Sequence, residues 1–520
     1  MTHSITLEVV ADTLLMAAFA VQMLRWLRVL QREHYHAASM RLFLERWSSL
    51  GVGAPRKHDS ANSRRPVTLT HVALLLLLVF SALKLLDLVI VDSLLYGFCC
   101  PVGLSVRGRT SPLHWTRRVR RLAITAVLLF LLVAALGTLA GGGLYTVALL
   151  VWMVPLLLSV SVRLLAPMER RGAQAFVDQA ARRLALVQPL VVAISGSYGK
   201  TSTKNHLADL LRPDGVVATP KSFNNRAGLS RSINEGLAEG TPVFIAEMGT
   251  YGLGEIAELC AWCPPAIAVI TAIGPVHLER MGSVEVIERA KFEITQRATT
   301  VIVNVDNPLL ARWPARLGEK RVRTAGSTTT ADVVVAVRGD QWDIVIDGVT
   351  VTSIEPLSSV QPTNLACAIA AALEVGLSTS TLVARLRDVA PVANRATVST
   401  AASGVVVIDD TFNANPASAH ASLAVLENLD LRGRRVVVTP GMIELGHEQF
   451  RENATLARKI VAGGSELIIV NRTNARALLE GCEGTARRCA TRDDAVAWVR
   501  AHLGEGDAVL YLNDLPDHYP

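Results

Sequence analysis

Lys200 and Thr201 close a glycine-spaced run, Ser195-Gly196-Ser197-Tyr198-Gly199-Lys200-Thr201-Ser202, whose residue types suit the handling of phosphate. A β-branched apolar stretch, Val191-Val192-Ala193-Ile194, leads into it as a buried strand, and a helical pattern over Lys204 to Leu211 leads out. In such a strand, loop and helix start, backbone N–H groups and the positive end of the helix face an anion. Gly196 and Gly199 give the loop its turns, Lys200 reaches the terminal phosphates, and the hydroxyl of Thr201, next to Ser202, is placed to ligate Mg²⁺. The longer form of this motif has a glycine where this chain has Ile194, so the match is to GxxGK[ST]. An ordinary strand-to-helix turn has the same outline.

Three further residues could act beside that loop. Glu247 ends the strand candidate Val243 to Met248 and begins EMGTYGLGEI, at the strand edge where open α/β sheets bind ligands. His277 follows the strand candidate Ile267 to Ile273 in GPVHLERMG, and Lys291 lies on the helix after it. A hydroxyl, a carboxylate and an imidazole at the ends of adjacent parallel strands suit Mg²⁺ bound together with nucleotide phosphate. Taken singly, Glu247 could cap a helix, His277 could be a loop histidine, and Lys291 could be a solvated surface residue.

The elements that must position these groups are short β-branched runs alternating with helical ones, the pattern of a parallel, doubly wound α/β sheet. Val301 to Asp306 continues the strand series, and Val333 to Val337, Trp342 to Ile346 and Val349 to Ile354 look like a small meander inserted late in the domain. A break near Ala390 to Thr397 starts a second, Rossmann-like α/β unit with strands at Val405 to Asp410, Arg435 to Thr439, Leu467 to Asn471 and Ala508 to Leu512. The expected domains are residues 187–390 and 391–520, preceded by an apolar region over residues 1–166.

That apolar region explains the composition. The chain has 520 residues, half of them hydrophobic, and a mean hydropathy of +0.34. The net charge of +7 sits largely on arginines flanking the apolar runs, without interleaved aromatics, so it reads as membrane topology and not as a nucleic-acid surface. Seven scattered cysteines exclude a disulfide framework, and Cys260 and Cys263 lack the second pair that a zinc ribbon needs. Ile5 to Trp26, Leu122 to Ala140 and Tyr145 to Leu165 are each expected to cross a bilayer. Val67 to Leu104, broken by Lys84, Asp87 and Asp92, must enter and leave on one face if the arginine-rich loops and the phosphate loop are all to lie inside. The expectation is five crossings, or three plus a re-entrant segment, with the N-terminus outside, the body cytoplasmic, and Glu169 to Leu186 amphipathic at the membrane surface.

Together with TPKSFNNRAG, ITAIGPVHLERMGSVEVIERAKFEI, NVDNP, IDDTFNANPAS and GMIELG, these motifs make residues 190 to 515 resemble the Mur ligase family, and within it the dipeptide-adding branch. The resemblance implies a P-loop central domain, a C-terminal domain that closes over it, and ATP-driven amide formation on a bacterial cell-envelope precursor. By the same resemblance Lys200 and Thr201 hold phosphate and Mg²⁺, Asn225 sits near the transferred phosphate, and Glu247 and His277 ligate magnesium. Lys291 matches a lysine that CO₂ carbamylates, Asn364 an adenine contact, and Arg395 and Asp410 nucleotide contacts from the C-terminal domain. An acceptor carboxylate would attack the γ-phosphate, and an amino acid or dipeptide amine would then attack the acyl phosphate.

Two departures bear on the acceptor. Membrane helices stand where family members have a domain gripping a UDP-sugar, and where the family has a Lys-Gly-Ser-Arg-like segment the corresponding strand here ends Leu510-Tyr511-Leu512-Asn513-Asp514-Leu515-Pro516. An acceptor at the membrane is the reading this supports. A ligase of the poly-γ-glutamate synthase type, or a membrane scaffold that binds ATP without turnover, are the alternatives.

Overall fold

The computed structural model describes residues 2–33, 35, 69–83, 85–101, 104–108, 112–328, 331–357, 360–390, 396–412, 414–515 and 519. The chain divides into two compact units, residues 1–171 with 470–477 and 514–520, and residues 172–469 with 478–513.

The first unit is helical: α1 (Thr2–Arg32), α2 (Leu69–Ala82), α3 (Leu86–Cys99), α4 (Arg117–Leu139), α5 (Gly143–Trp152) and the start of α6 (Val154–Val187). Among the described residues, Glu8–Arg32 and Arg117–Leu139 are long and apolar enough to cross a membrane, and α5 with α6 makes a third span if that pair, bent by 75°, is counted as one. The segment expected at Val67 to Leu104 forms two helices of 14 residues each. At about 1.5 Å per residue each is about 21 Å long, short of the ~30 Å hydrocarbon core. The span expected as one helix over Tyr145 to Leu165 is broken instead. Pro155 lacks the N–H that would continue α5, and it falls in the first turn of α6, where none is required. Glu169 to Leu186, expected as a separate amphipathic helix, is the second half of α6.

The second unit is built on two sheets. The first has the order β2-β3-β1-β4-β5-β6-β7-β8-β9, from β1 (Leu190–Ser195), β2 (Val217–Ala218), β3 (Val243–Glu247), β4 (Ile267–Ile270), β5 (Thr300–Asn304), β6 (Arg321–Gly326), β7 (Val333–Arg338), β8 (Gln341–Ile346) and β9 (Val349–Ile354). Pairing is parallel through β7 and antiparallel beyond it, so the sheet is mixed. The meander is therefore no insertion. It extends the central sheet, because Ala325 and Gly326 of β6, a strand the sequence pattern did not reveal, pair with Val333 and Val334.

Alternation along β1 shows why both faces need helices. Val191 and Ala193 enter one core, with Leu229, Ile256 and Ile287; Val192 and Ile194 enter the other, with Leu207 and Leu365. The helices supplying those residues are α7 (Lys200–Leu211), α8 (Arg226–Gly236), α9 (Glu255–Trp262), α11 (Val284–Phe292) and α12 (Pro362–Val375), with the short α10 (Leu278–Met281) between α9 and α11. Five alanines of α12 are fully buried, and their small side chains let that helix lie close on the sheet.

After α13 (Thr379–Arg385) comes the second sheet, in the order β10-β11-β15-β12-β13-β14. Its strands are β10 (Thr397–Thr400), β11 (Val406–Asp410), β12 (Arg435–Thr439), β13 (Glu466–Val470), β14 (Arg487–Cys489) and β15 (Ala508–Leu512). The four middle strands are parallel, as a Rossmann-like unit requires, and β10 adds an antiparallel edge. Helices α14 (Pro416–Glu427), α15 (Gln449–Ala462), α16 (Ala475–Gly481) and α17 (Arg492–His502) connect them. Asn415 caps α14 by accepting from Ser418 N at 3.0 Å, which fixes where the IDDTFNANP turn ends.

Candidate active site

The order of the first sheet reverses between β1 and β4, since the chain runs from β1 to β2 and β3 on one side and then crosses to β4 on the other. Loops leaving the carboxyl ends of strands part at such a point, and ligands bind there. The loop after β1 is Gly196–Gly199, with Lys200 opening α7. A Cβ on Gly196 would lie 2.0 Å from Thr271 Oγ1, and one on Gly199, whose φ is +79°, 2.2 Å from Asn364 Oδ1. Both positions are thus sterically closed to a side chain. Ser197 N donates to Ala272 O at 2.7 Å, and Gly274 N donates to Ser197 Oγ at 3.0 Å, so the loop after β4 holds the loop after β1. Lys200 Nζ donates to Gly196 O at 2.7 Å, which keeps the ammonium over the loop.

Glu247, the last residue of β3, is 1 % exposed and heavily bonded. Thr201 Oγ1 donates to its Oε2 at 2.9 Å, Lys204 Nζ reaches the same oxygen at 3.2 Å, and Asn224 Nδ2 donates to Oε1 at 3.0 Å. Its own N–H donates to Thr219 Oγ1 at 3.1 Å. A carboxylate this deeply buried is tolerable because a cation and two neutral donors satisfy it. Burial lowers the Lys204 ammonium from its usual value, and Glu247 opposes that shift.

Lys291, on α11, is 2 % exposed. Burial first, and the charge of Lys200 second, push its amine well below the usual lysine range. It is not the solvated surface residue that its place on a short helix allowed.

His277 stands just before α10, at its N-cap, with a left-handed backbone, φ +54°. Its Nδ1 meets Glu444 Oε2 of the GMIELG loop, and the Tyr251 ring stands edge-on to the imidazole at 4.7 Å.

Asn364 and Asp410 line one cavity of about 210 Å³, together with Gly199, Ser202, Thr271 and Asn304. Asp410, at the end of β11, is buried and accepts from Ser422 Oγ at 2.6 Å. The chain thus brings the phosphate loop, an α12 amide and a carboxylate of the second sheet around a single space. Asn225 caps α8 through Gly228 N at 2.9 Å, while its neighbour Asn224 is the one bonded to Glu247. Arg395 lies outside the described residues.

Among the described residues no three His, Cys, Asp or Glu side chains converge as a metal set. Oxygen donors are nevertheless placed for a hard divalent cation, in the Thr201 hydroxyl and the Glu247 carboxylate it contacts. Sequence reasoning missed Lys204, Asn224 and Glu444. Lys204 had a signal: it lies four residues after Lys200 and three after Thr201, on the same helical face. Glu444 had none beyond its motif, because nothing local tells that its partner lies in the other sheet's loops.

Against known proteins, residues 194–372 match the model of the Mur ligase middle domain, and residues 394–512 that of the Mur ligase glutamate ligase domain. The UDP-N-acetylmuramoyl-tripeptide--D-alanyl-D-alanine ligase of Mycobacterium bovis is 34% identical over 363 residues, covering 62% of this chain and 69% of that protein. The enzyme of the same name from Synechocystis is 31% identical over 329 residues, covering 62% of this chain and 71% of its own. Among solved structures, MurF from Acinetobacter baumannii has a TM-score of 0.59 at 24% identity, covering 66% of this chain and 77% of that one. MurF ligase from Thermotoga maritima in complex with ADP has a TM-score of 0.56 at 23% identity, covering 66% of this chain and 80% of that one. These two share the fold.

Proposed function

The chain belongs to the Mur ligase family, and from that we propose a membrane-anchored ligase whose body is cytoplasmic and whose carboxylate acceptor is held at the bilayer. It is an ATP-dependent amide-bond-forming enzyme of peptidoglycan synthesis.

The observation that carries the site reading is the Thr201–Glu247 hydrogen bond beside a loop in which Gly196 and Gly199 cannot carry side chains. Backbone N–H groups of that loop bind the β- and γ-phosphates, and Lys200 offsets charge on the transferring phosphoryl group. Thr201 and Glu247, with His277 and Lys291 as its carbamate, would hold Mg²⁺, and the ion would supply Lewis-acid stabilisation of the phosphates. The low amine pKa of Lys291 supports the last assignment, since the neutral amine is the form that adds CO₂, releasing a proton and leaving an anionic carbamate. Asn364 contacts the adenine, Asp410 contacts the nucleotide from the second sheet, and the family resemblance assigns Arg395 to the nucleotide as well. Asn225, next in sequence to Asn224, lies near the transferred phosphate. The acceptor carboxylate attacks the γ-phosphorus, ADP leaves, and the amine of an amino acid or dipeptide then displaces phosphate from the acyl phosphate. Closure of the second sheet's loops excludes the water that would hydrolyse that intermediate.

The membrane reading rests on α4. Its apolar window has a hydropathy of 2.6 yet is only 17% buried, and Ile124, Leu128, Leu132 and Leu136 are all more than half exposed. A helix apolar on all sides needs an apolar surrounding. The shortness of α2 and α3 favours three crossings plus a re-entrant pair. Reporter fusions near Arg117 should then read cytoplasmic, as should fusions after Leu186. An external signal at either place contradicts the topology.

A further inference from the structure

We propose that Glu444 is a positioning residue for the reaction: it holds His277 in the tautomer and orientation that present Nε2 to the divalent cation. The inference rests on the metal role given to His277 above.

Two non-glycine residues with left-handed backbones meet here, His277 at φ +54° and Glu444 at φ +63°. Such conformations are uncommon for residues with a Cβ and persist only where the surroundings fix them. The surroundings of Glu444 do so. Gly441 O accepts from Asn513 Nδ2 at 2.7 Å, and Gly441 N donates to Thr439 Oγ1 at 2.9 Å. Asn453, fully buried, accepts from Met442 N at 2.8 Å and donates to Met442 O at 2.9 Å and Gln449 O at 2.7 Å. The loop between β12 and α15 is thereby tied down on both sides of Glu444. On the other side of the contact, the edge-on ring of Tyr251 confines the imidazole, and the Arg280 guanidinium lies over that ring at 4.7 Å.

The contact is made through Nδ1; with the proton on that nitrogen the carboxylate accepts it, and the Nε2 lone pair is left for a metal. Histidine ligands are commonly oriented by a carboxylate in this way, and losing it weakens metal binding about 10–100-fold. Here the carboxylate comes from the second sheet and the histidine from the first. Metal affinity therefore depends on the second sheet's loop being in place, which couples cation binding to the arrangement that excludes water.

The test uses the full-length chain in detergent, a non-hydrolysable ATP analogue, and Mn²⁺ titrated by electron paramagnetic resonance. Glu444→Ala should weaken Mn²⁺ binding about 10–100-fold, with affinity for the analogue in the absence of metal unchanged. Glu444→Gln keeps an acceptor without the charge and should fall between wild type and alanine, which separates positioning from a failure to fold. His277→Ala is the control. If it weakens Mn²⁺ binding and Glu444→Ala does not, the role of Glu444 is overturned while the metal site stands. If His277→Ala leaves Mn²⁺ binding unchanged, the metal role of His277 falls and this proposal falls with it.

Discussion

Lys200→Ala should reduce ATP-dependent amide formation by at least about 10²–10³-fold in kcat, the loss seen when one preorganised stabiliser of a developing charge is removed. The reason lies in the position of the ammonium. Lys200 Nζ is held over the phosphate loop by Gly196 O at 2.7 Å and Ser197 O at 3.4 Å, so its charge needs no reorganisation when the phosphoryl group moves. A bound acceptor carboxylate brings negative charge towards an already anionic γ-phosphate, and a nearby cation is what makes that approach possible. The fold should be unchanged, because the Lys200 side chain is only partly buried. Steady-state ADP release with saturating acceptor and amine measures the loss. Turnover within tenfold of wild type would remove Lys200 from the chemistry.

Glu247→Gln should cost both activity and stability, and the two losses should separate. The carboxylate is the counter-charge for Lys204, both residues being 1% exposed, and it accepts from Thr201 and Asn224 as well. A glutamine can keep one or two of those hydrogen bonds, but it leaves the buried ammonium without compensation, a loss of about 3–5 kcal/mol. Adding Lys204→Met removes the orphaned charge and should recover most of that stability. Activity should stay low in the double variant, because the anionic oxygen next to Thr201 is still missing. Denaturant unfolding of the purified variants, read beside ADP release, gives both numbers. Equal recovery of stability and activity in the double variant would mean that Glu247 is only the partner of Lys204.

Much of this site was legible in the chain itself because its signals are local. Gly196, Gly199 and Lys200 follow a β-branched strand at fixed spacing, and Glu247 and His277 follow strands of their own. The structure sets β1 between β3 and β4, which brings the loops after all three strands to one edge. The order of strands is not written locally, so neither the place of β6 nor the extension of the sheet through β7–β9 could be read. The 75° break between α5 and α6 could have been, since Pro155 stands in the middle of the apolar run. Contacts between distant segments left no trace. Lys204 with Glu247 and His277 with Glu444 are separated by 43 and 167 residues, and only the folded chain pairs them.

The most direct test of acyl-phosphate chemistry follows the oxygen atoms. The full-length enzyme in nanodiscs is given ATP, Mg²⁺, D-alanyl-D-alanine and a muramoyl tripeptide labelled with ¹⁸O in its free carboxylates, once as the UDP-linked form and once as the polyprenyl-pyrophosphate-linked form. Expected is one ¹⁸O atom in each phosphate released, formed together with ADP and faster from the lipid-linked acceptor. Amide product accompanied by unlabelled phosphate, or by AMP and pyrophosphate, would contradict it.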